Sequence, residues 1–280
     1  MRFIHMADVH LGAVPDSGCP WSAFRENEIW ETFVRVIDQI REEKIELLLI
    51  AGDLFHRQPL PSQTERVSQL FASIPDTEVV WMAGSHDYLR EDSAYRKVKW
   101  TKNVNGFPSE KPEVISLEKL HTKVYGCSYE HPEVTEAIYS SIRPEDQPGI
   151  HILLAYGGDE THIPMKKEDG AGFDYVALGH LHGAQSVGKR TIRYPGTLLK
   201  YSVSECNQEK TLTVVTIEKK GEEAGIECLP LRPLRDVRKK KGRLEELLQD
   251  VKEEEKDDYV SITLTDEVDP YKPKEQLERV

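Results

Sequence analysis

The sequence predicts an α/β layered fold, and three observations carry that prediction. Short apolar runs alternate with longer amphipathic ones through the first 85 residues. Each of the early apolar runs ends at once in a polar turn containing glycine or aspartate. The chain is also long enough to bury a sizeable core, with 280 residues of which 38% are hydrophobic and 31% charged.

The elements follow in order. Phe3–Met6 reads as a strand. Ser22–Glu43 reads as a helix, because Ile29, Phe33, Val36, Ile37 and Ile40 recur close to the i, i+3, i+4, i+7 spacing behind a serine cap. Ile45–Ile50 is apolar throughout, the pattern of a strand buried on both faces, and it ends at Ala51-Gly52-Asp53. Ser62–Ala72 reads as a second helix and Val79–Met82 as a third strand ending at Gly84. Ser93–Pro112 is mixed helix and loop; Lys123–Gly126 and Ile150–Tyr156 are strands, with a helix expected over His131–Ile142 between them. Tyr175–Leu178 is a short strand, and Leu212–Ile217 with Gly225–Leu229 forms a hairpin around Lys219–Glu223.

Composition shifts near Pro230. Residues 232–243 hold seven basic side chains and one acidic, and residues 245–258 hold eight acidic and two basic. A helix at Arg243–Val251, a strand at Tyr259–Thr265 and a helical start at Lys272–Val280 make a small α/β appendage. The chain stops inside that last helix without a glycine stop, so the appendage is expected to be incomplete. The expected domains are therefore 1–229 and 230–280.

Charge and cysteine usage exclude several classes. With 37 basic and 49 acidic residues the net charge is −12, which argues against coating nucleic acid by bulk charge. Four scattered cysteines with no Cys-x-x-Cys pair argue against a disulfide framework or structural zinc. No apolar run approaches the roughly 20 residues of a membrane span, and the start lacks the apolar segment of a signal peptide, so a cytoplasmic protein without membrane contact is expected.

Four motifs share one context, the carboxyl end of a strand: Asp8-Val9-His10, Gly52-Asp53, Gly84-Ser85-His86-Asp87 and Gly179-His180-Leu181-His182. Residues two apart on an extended chain point the same way, so Asp8 with His10, and His180 with His182, each bring two donors to one place. Carboxylate with imidazole suits manganese, iron or zinc. Open α/β sheets bind ligands outside the carboxyl ends of their strands.

The fuller strings His5-Met6-Ala7-Asp8-Val9-His10-Leu11-Gly12, Ala51-Gly52-Asp53-Leu54-Phe55 and Leu178-Gly179-His180-Leu181-His182 resemble the SbcD nuclease branch of the calcineurin-like metallophosphoesterase superfamily. Tyr194-Pro195-Gly196-Thr197 and Pro230-Leu231-Arg232-Pro233-Leu234-Arg235 extend the resemblance over essentially the whole chain. It implies a four-layer α/β/β/α metallophosphoesterase sandwich with a small, truncated α/β capping domain. It also implies manganese-dependent cleavage of DNA ends or hairpins in double-strand-break repair, an SbcC-type coiled-coil ATPase partner and a homodimer. Carried over by position, Asp8, His10, Asp53 and His182 hold one ion; Asp53 bridges to a second, which His180 also binds. His86, oriented by Asp87, assists the departing oxygen.

Two positions depart from that pattern. Ser85 stands where the family has an asparagine ligand, and Tyr156 where it has a histidine, which leaves the second site in doubt. Three outcomes stay open: replacement donors from His162, Asp159 or Glu160, a weakly bound second metal with slow turnover, or an inactive DNA-end-binding subunit. DNA contact is expected from Arg96, Lys97, Lys99 and Lys102 interleaved with Tyr95 and Trp100, from Lys189, Arg190 and Arg193, and from Arg232, Arg235 and Arg238 in the basic run. That run could equally pair with the acidic stretch beyond it.

Overall fold

Runs too short for a helix and too apolar for a surface strand become the inner strands of two sheets. The protein is described here by a computed structural model, which covers every residue except Pro20, Glu160 and Val280. The chain divides into two compact units, Met1–Leu198 with Lys210–Leu231, and Leu199–Glu209 with Arg232–Val280.

In the first unit the strands are β1 (Arg2–Met6), β2 (Leu47–Ala51), β3 (Glu78–Met82), β4 (Val104–Gly106), β5 (Glu113–Leu117), β6 (Thr122–Gly126), β7 (Ile150–Tyr156), β8 (Tyr175–Gly179), β9 (Gln185–Val187), β10 (Lys189–Tyr194), β11 (Thr211–Thr216) and β12 (Gly225–Pro230). One six-stranded sheet runs β12-β11-β1-β2-β3-β4 and the other β5-β6-β7-β8-β10-β9. Strands β1 to β4 run parallel to one another, and so do β6, β7 and β8, whereas β11 is antiparallel to β1 and β5 to β6. Helices α1 (Ser22–Glu42) and α2 (Pro61–Ala72) and the single turn α3 (Ala94–Lys97) connect strands of the first sheet. Connections in the second sheet carry short 3₁₀ turns such as Ile138–Ser141 and Lys167–Gly170.

In the first sheet the period of two along each strand splits the core. Phe3, Leu47, Leu49, Ala51, Val80 and Met82 join Ile152, Leu154, Tyr156, Tyr175 and Ala177 in one cluster between the sheets. The alternate residues Ile4, Leu48 and Ile50 are equally buried outside that cluster. His5 crosses the layer, its Nδ1 2.9 Å from the Tyr175 hydroxyl and its Nε2 3.2 Å from the Leu178 carbonyl. At the carboxyl ends the sheets approach so closely that a Cβ at Gly179 would lie 1.6 Å from the Ala51 carbonyl oxygen. Only glycine fits there.

Three readings are corrected. His131–Ile142 is not a helix, because Val134 is drawn into a bridge with His162 and its N–H bonds to the Thr161 carbonyl. Lys189–Tyr194 and Glu113–Leu117 are strands that the apolar pattern missed, since both carry exposed polar positions. In the second unit, the basic run at Val237–Gly242 is itself a strand (β13), paired in parallel with β14 (Tyr259–Leu264), alongside helices α4 (Leu244–Gln249) and α5 (Pro273–Leu277). Its charges face acids: Arg238 bonds to Asp258 at 2.5 Å and Lys240 to Glu255 at 2.8 Å. Among the described residues no helix is long and apolar enough to cross a membrane.

Replacing Gly179 with alanine is expected to lower stability by about 3 kcal/mol through overpacking of the sheet interface. A urea midpoint within error of wild type would contradict this account of the interface.

Candidate metal centre

The turns that end β1 and β2 are pinned to each other. Asp8 N–H donates to the Gly52 carbonyl at 3.1 Å, and His10 N–H to the Asp53 carbonyl at 3.0 Å. Asp8, His10 and Asp53 all take left-handed backbone conformations, with φ of 52°, 49° and 49°. Such conformations are costly for side-chain-bearing residues and persist where surrounding bonds enforce them. From the opposite sheet, His180 N–H donates to both Asp8 oxygens at 3.1 and 2.9 Å, which joins β8 to β1 at the site.

Asp8, His10 and His182 bring one ligand atom each into a single cluster. His10 Nε2 lies 3.2 Å from His182 Nε2 and 3.9 Å from Asp53 Oδ2. Two imidazole nitrogens about 2.1 Å from one tetrahedral ion stand about 3.4 Å apart, so the spacing fits a shared divalent cation. The electrostatics fit as well. Burial, then Asp53, pushes the Asp8 carboxyl well above the usual range, and burial with the Asp87 charge pushes Asp53 up to about 7. Burial and the neighbouring His182, His86 and His56 hold His10 well below an ordinary histidine. Buried carboxyls kept from ionising beside imidazoles kept neutral form a donor set that a divalent ion would satisfy.

The second family position does not fit an ion. Tyr156 fills it: its hydroxyl donates to Asp53 Oδ2 at 2.7 Å and lies 2.9 Å from Ser85 Oγ and 3.2 Å from His180 Nδ1. The three remaining donors of that position therefore surround a phenol oxygen. Burial, then the Asp53 and Asp8 charges, push the Tyr156 phenol well above its ordinary value, so it stays protonated. Its ring is packed too tightly to vacate easily, since a Cβ at Gly52 would meet it at 2.2 Å.

His86 stands at the open edge of the cluster with a side chain 46% exposed and Nε2 4.0 Å from Asp53 Oδ2. Asp87 does not orient it. Asp87 is fully buried and accepts from Gly84 N–H at 2.8 Å, Phe55 N–H at 3.0 Å and the Tyr95 hydroxyl at 2.6 Å, which ties the β2 and β3 turns together. The His86 ring is instead set by its Nδ1, which donates to the His56 carbonyl at 2.9 Å. His56, absent from the sequence reading, stacks on His86 with ring centres 5.1 Å apart and forms a second cluster with His10 and His86. Its signal was the string Leu54-Phe55-His56 directly after Gly52-Asp53. Lys210 was also missed: its buried ammonium donates to the His182 carbonyl at 3.0 Å and to Thr197 at 2.7 Å.

Lys97, Lys99, Lys102, Lys189 and Arg190 are exposed, whereas several other expected DNA contacts change character. Arg193 is buried at 9% exposure and bonds to Cys228 Sγ, so it is no surface contact. Tyr95 is buried and stacks on Trp81, the half-buried Trp100 packs against both, and Arg96 pairs with Glu130 at 2.9 Å. Arg238 pairs with Asp258, Arg235 is half-buried and Arg232 exposed. His162 and Asp159 do lie beside His180, whereas Glu160 falls outside the described residues.

Residues 1–184 match the family described as calcineurin-like phosphoesterase. The chain is 25% identical to the DNA double-strand break repair protein Mre11 of Methanopyrus kandleri, over 75% of this chain and 51% of that protein. It is 28% identical to the uncharacterized metallophosphoesterase YhaO of Bacillus subtilis, over 73% and 55%. With the SbcD subunit of the SbcCD nuclease of Staphylococcus epidermidis it shares 26% identity over 95% of this chain and 79% of that one. The chain thus spans about half the length of the first two relatives.

Because the folded Asp53 pKa is raised, the proton is held below about pH 7 and must leave when a metal binds. Calorimetric titration with Mn2+ in buffers of different ionisation enthalpy is expected to show proton release. Affinity should fall as pH drops through 7, by about tenfold per pH unit per displaced proton. Tyr156→Phe leaves Asp53 Oδ2 without its donor and is expected to destabilise the metal-free protein by about 2 kcal/mol in urea unfolding.

Proposed function

The chain belongs to the calcineurin-like phosphoesterase family, and from that premise we propose that it is a metal-dependent phosphodiesterase acting on DNA ends or hairpins. The observation that carries the reading is the convergence of Asp8, His10, Asp53 and His182 beneath an open-edged His86, whose Nε2 faces the same Asp53 oxygen as His10. Those four residues would hold a divalent ion, manganese in this proposal, which would supply Lewis-acid polarisation of the phosphodiester and a water made more acidic than in bulk.

The chain's own residues set the proton traffic. Since His86 Nδ1 donates to a carbonyl, that nitrogen keeps its hydrogen, and Nε2 is the atom that gains or gives a proton. It is aimed at the oxygen leaving the phosphorus. Stacking by His56 limits rotation of the ring, and Asp87 holds the loop that carries it. Lys210 and the Tyr194-Pro195-Gly196-Thr197 turn hold the His182 backbone in place; a Cβ at Gly196 would lie 2.8 Å from the His182 carbonyl oxygen.

DNA as substrate is supported by the names of two relatives, a DNA double-strand break repair protein and a nuclease subunit. The second name also supports work within a larger assembly, which we take to be with an SbcC-type ATPase and as a homodimer in the cytoplasm. Tyr156 favours a second reading, a DNA-end-binding subunit of the same fold with little or no turnover, because it fills the place of a second ion.

Manganese-dependent degradation of linear duplex or hairpin DNA is expected, with His86→Ala slowing it about 10²- to 10⁴-fold while metal binding persists. Binding of DNA ends without degradation, unchanged by His86→Ala, would select the second reading.

A further inference from the structure

Beyond Tyr156 lies a group of donors that the reading above does not use. The chain leaves β7 through Gly157 and Gly158, whose φ values are 120° and 114°. A Cβ at Gly157 would lie 1.9 Å from the His162 carbonyl oxygen, and one at Gly158 would lie 2.3 Å from the Tyr194 hydroxyl, so the loop folds back tightly on itself. Asp159 Oδ1 accepts from the backbone N–H groups of Thr161 and His162, both at 2.8 Å. That turn sets the His162 ring beside His180, with centroids 4.4 Å apart.

The other carboxylate oxygen is where the donors meet. Asp159 Oδ2 lies 2.7 Å from His180 Nε2 and 3.0 Å from His162 Nδ1, and ligand atoms of all three residues fall within 4.8 Å of one another. His180 has only one ring nitrogen to offer this cluster. Its Nδ1 is 3.2 Å from the Tyr156 hydroxyl, so Nε2, aimed at Asp159, is the atom left for a metal. Two imidazole nitrogens directed at one carboxylate oxygen need either two protons or one cation between them. A single first-row divalent ion satisfies all three donors at once and leaves further positions open to water on this exposed loop.

We propose that Asp159, His162 and His180 form a separate divalent-cation site outside Tyr156. It shares no carboxylate with the inner cluster and is linked to it through His180, whose Nδ1 meets the Tyr156 hydroxyl that bonds to Asp53 and whose backbone N–H bonds to Asp8. The two ions then bind as independent mononuclear sites, because the phenol replaces the bridging position.

The test is equilibrium titration of the metal-free full chain with Zn2+, together with zinc-soaked crystals read by anomalous scattering. About two equivalents are expected for the wild type. His162→Ala and Asp159→Asn should each fall to about one, with circular dichroism unchanged, while the inner peak remains. Asp8→Asn should lose the inner ion and keep the outer one. An outer ion that survives Asp8→Asn while no inner ion is seen in the wild type would sink the catalytic reading and leave this proposal standing. Wild-type stoichiometry in both loop variants would overturn the outer site. So would a single wild-type equivalent abolished by Asp8→Asn, or an anomalous peak between Asp53 and His180 with Tyr156 displaced.

Discussion

The structure turns on how closely two sheets meet at the carboxyl ends of their central strands. Gly179 brings β8 against the Ala51 carbonyl, and one residue further on the His180 N–H binds the Asp8 carboxylate. That contact takes Asp8 and Asp53 out of water. Burial then keeps their carboxyls from ionising and holds His10 neutral, which is the state a divalent ion reverses on binding. A larger residue at 179 would part the sheets, readmit water and remove the electrostatic reason for a metal to bind.

Tyr156 shows how one side chain redirects such a site. A phenol cannot easily ionise in this setting, so it contributes a hydrogen where the family has a ligand, and it bonds to the carboxylate meant to bridge. Ser85 follows from the same arrangement: its shorter side chain reaches the phenol oxygen at 2.9 Å. The two departures are one change, since each completes the hydrogen bonding of the other. His180 is turned outward by the same contact, toward Asp159.

Much of the fold was legible from residue pattern. The Leu47–Ile50 run is apolar at every position because both faces of β2 are covered, and the i, i+3, i+4 series from Ile29 to Ile40 in α1 lies on one buried stripe. Strands with exposed faces were not legible. β10 is held by pairing with β9 and β8 and β13 by pairing with β14 rather than by their own apolar content, and Val134 left the helical pattern because it found His162. Adjacency in sequence also misled: Asp87 follows His86, yet its side chain turns inward to Tyr95 while the His56 carbonyl sets the ring.

The sequence by itself marked the donors that meet in the inner cluster, because the strand ends carry Asp8, His10, Asp53 and His182 in short, local strings. It also marked Ser85 and Tyr156 as departures. What those departures do was decided only by the tertiary structure. Hydrogen bonds between residues 71 and 103 positions apart place the phenol among Ser85 and Asp53, and loop closure at Gly157 and Gly158 carries His162 to His180. Such contacts depend on how two sheets and a turn meet in space, which no local pattern of side chains encodes.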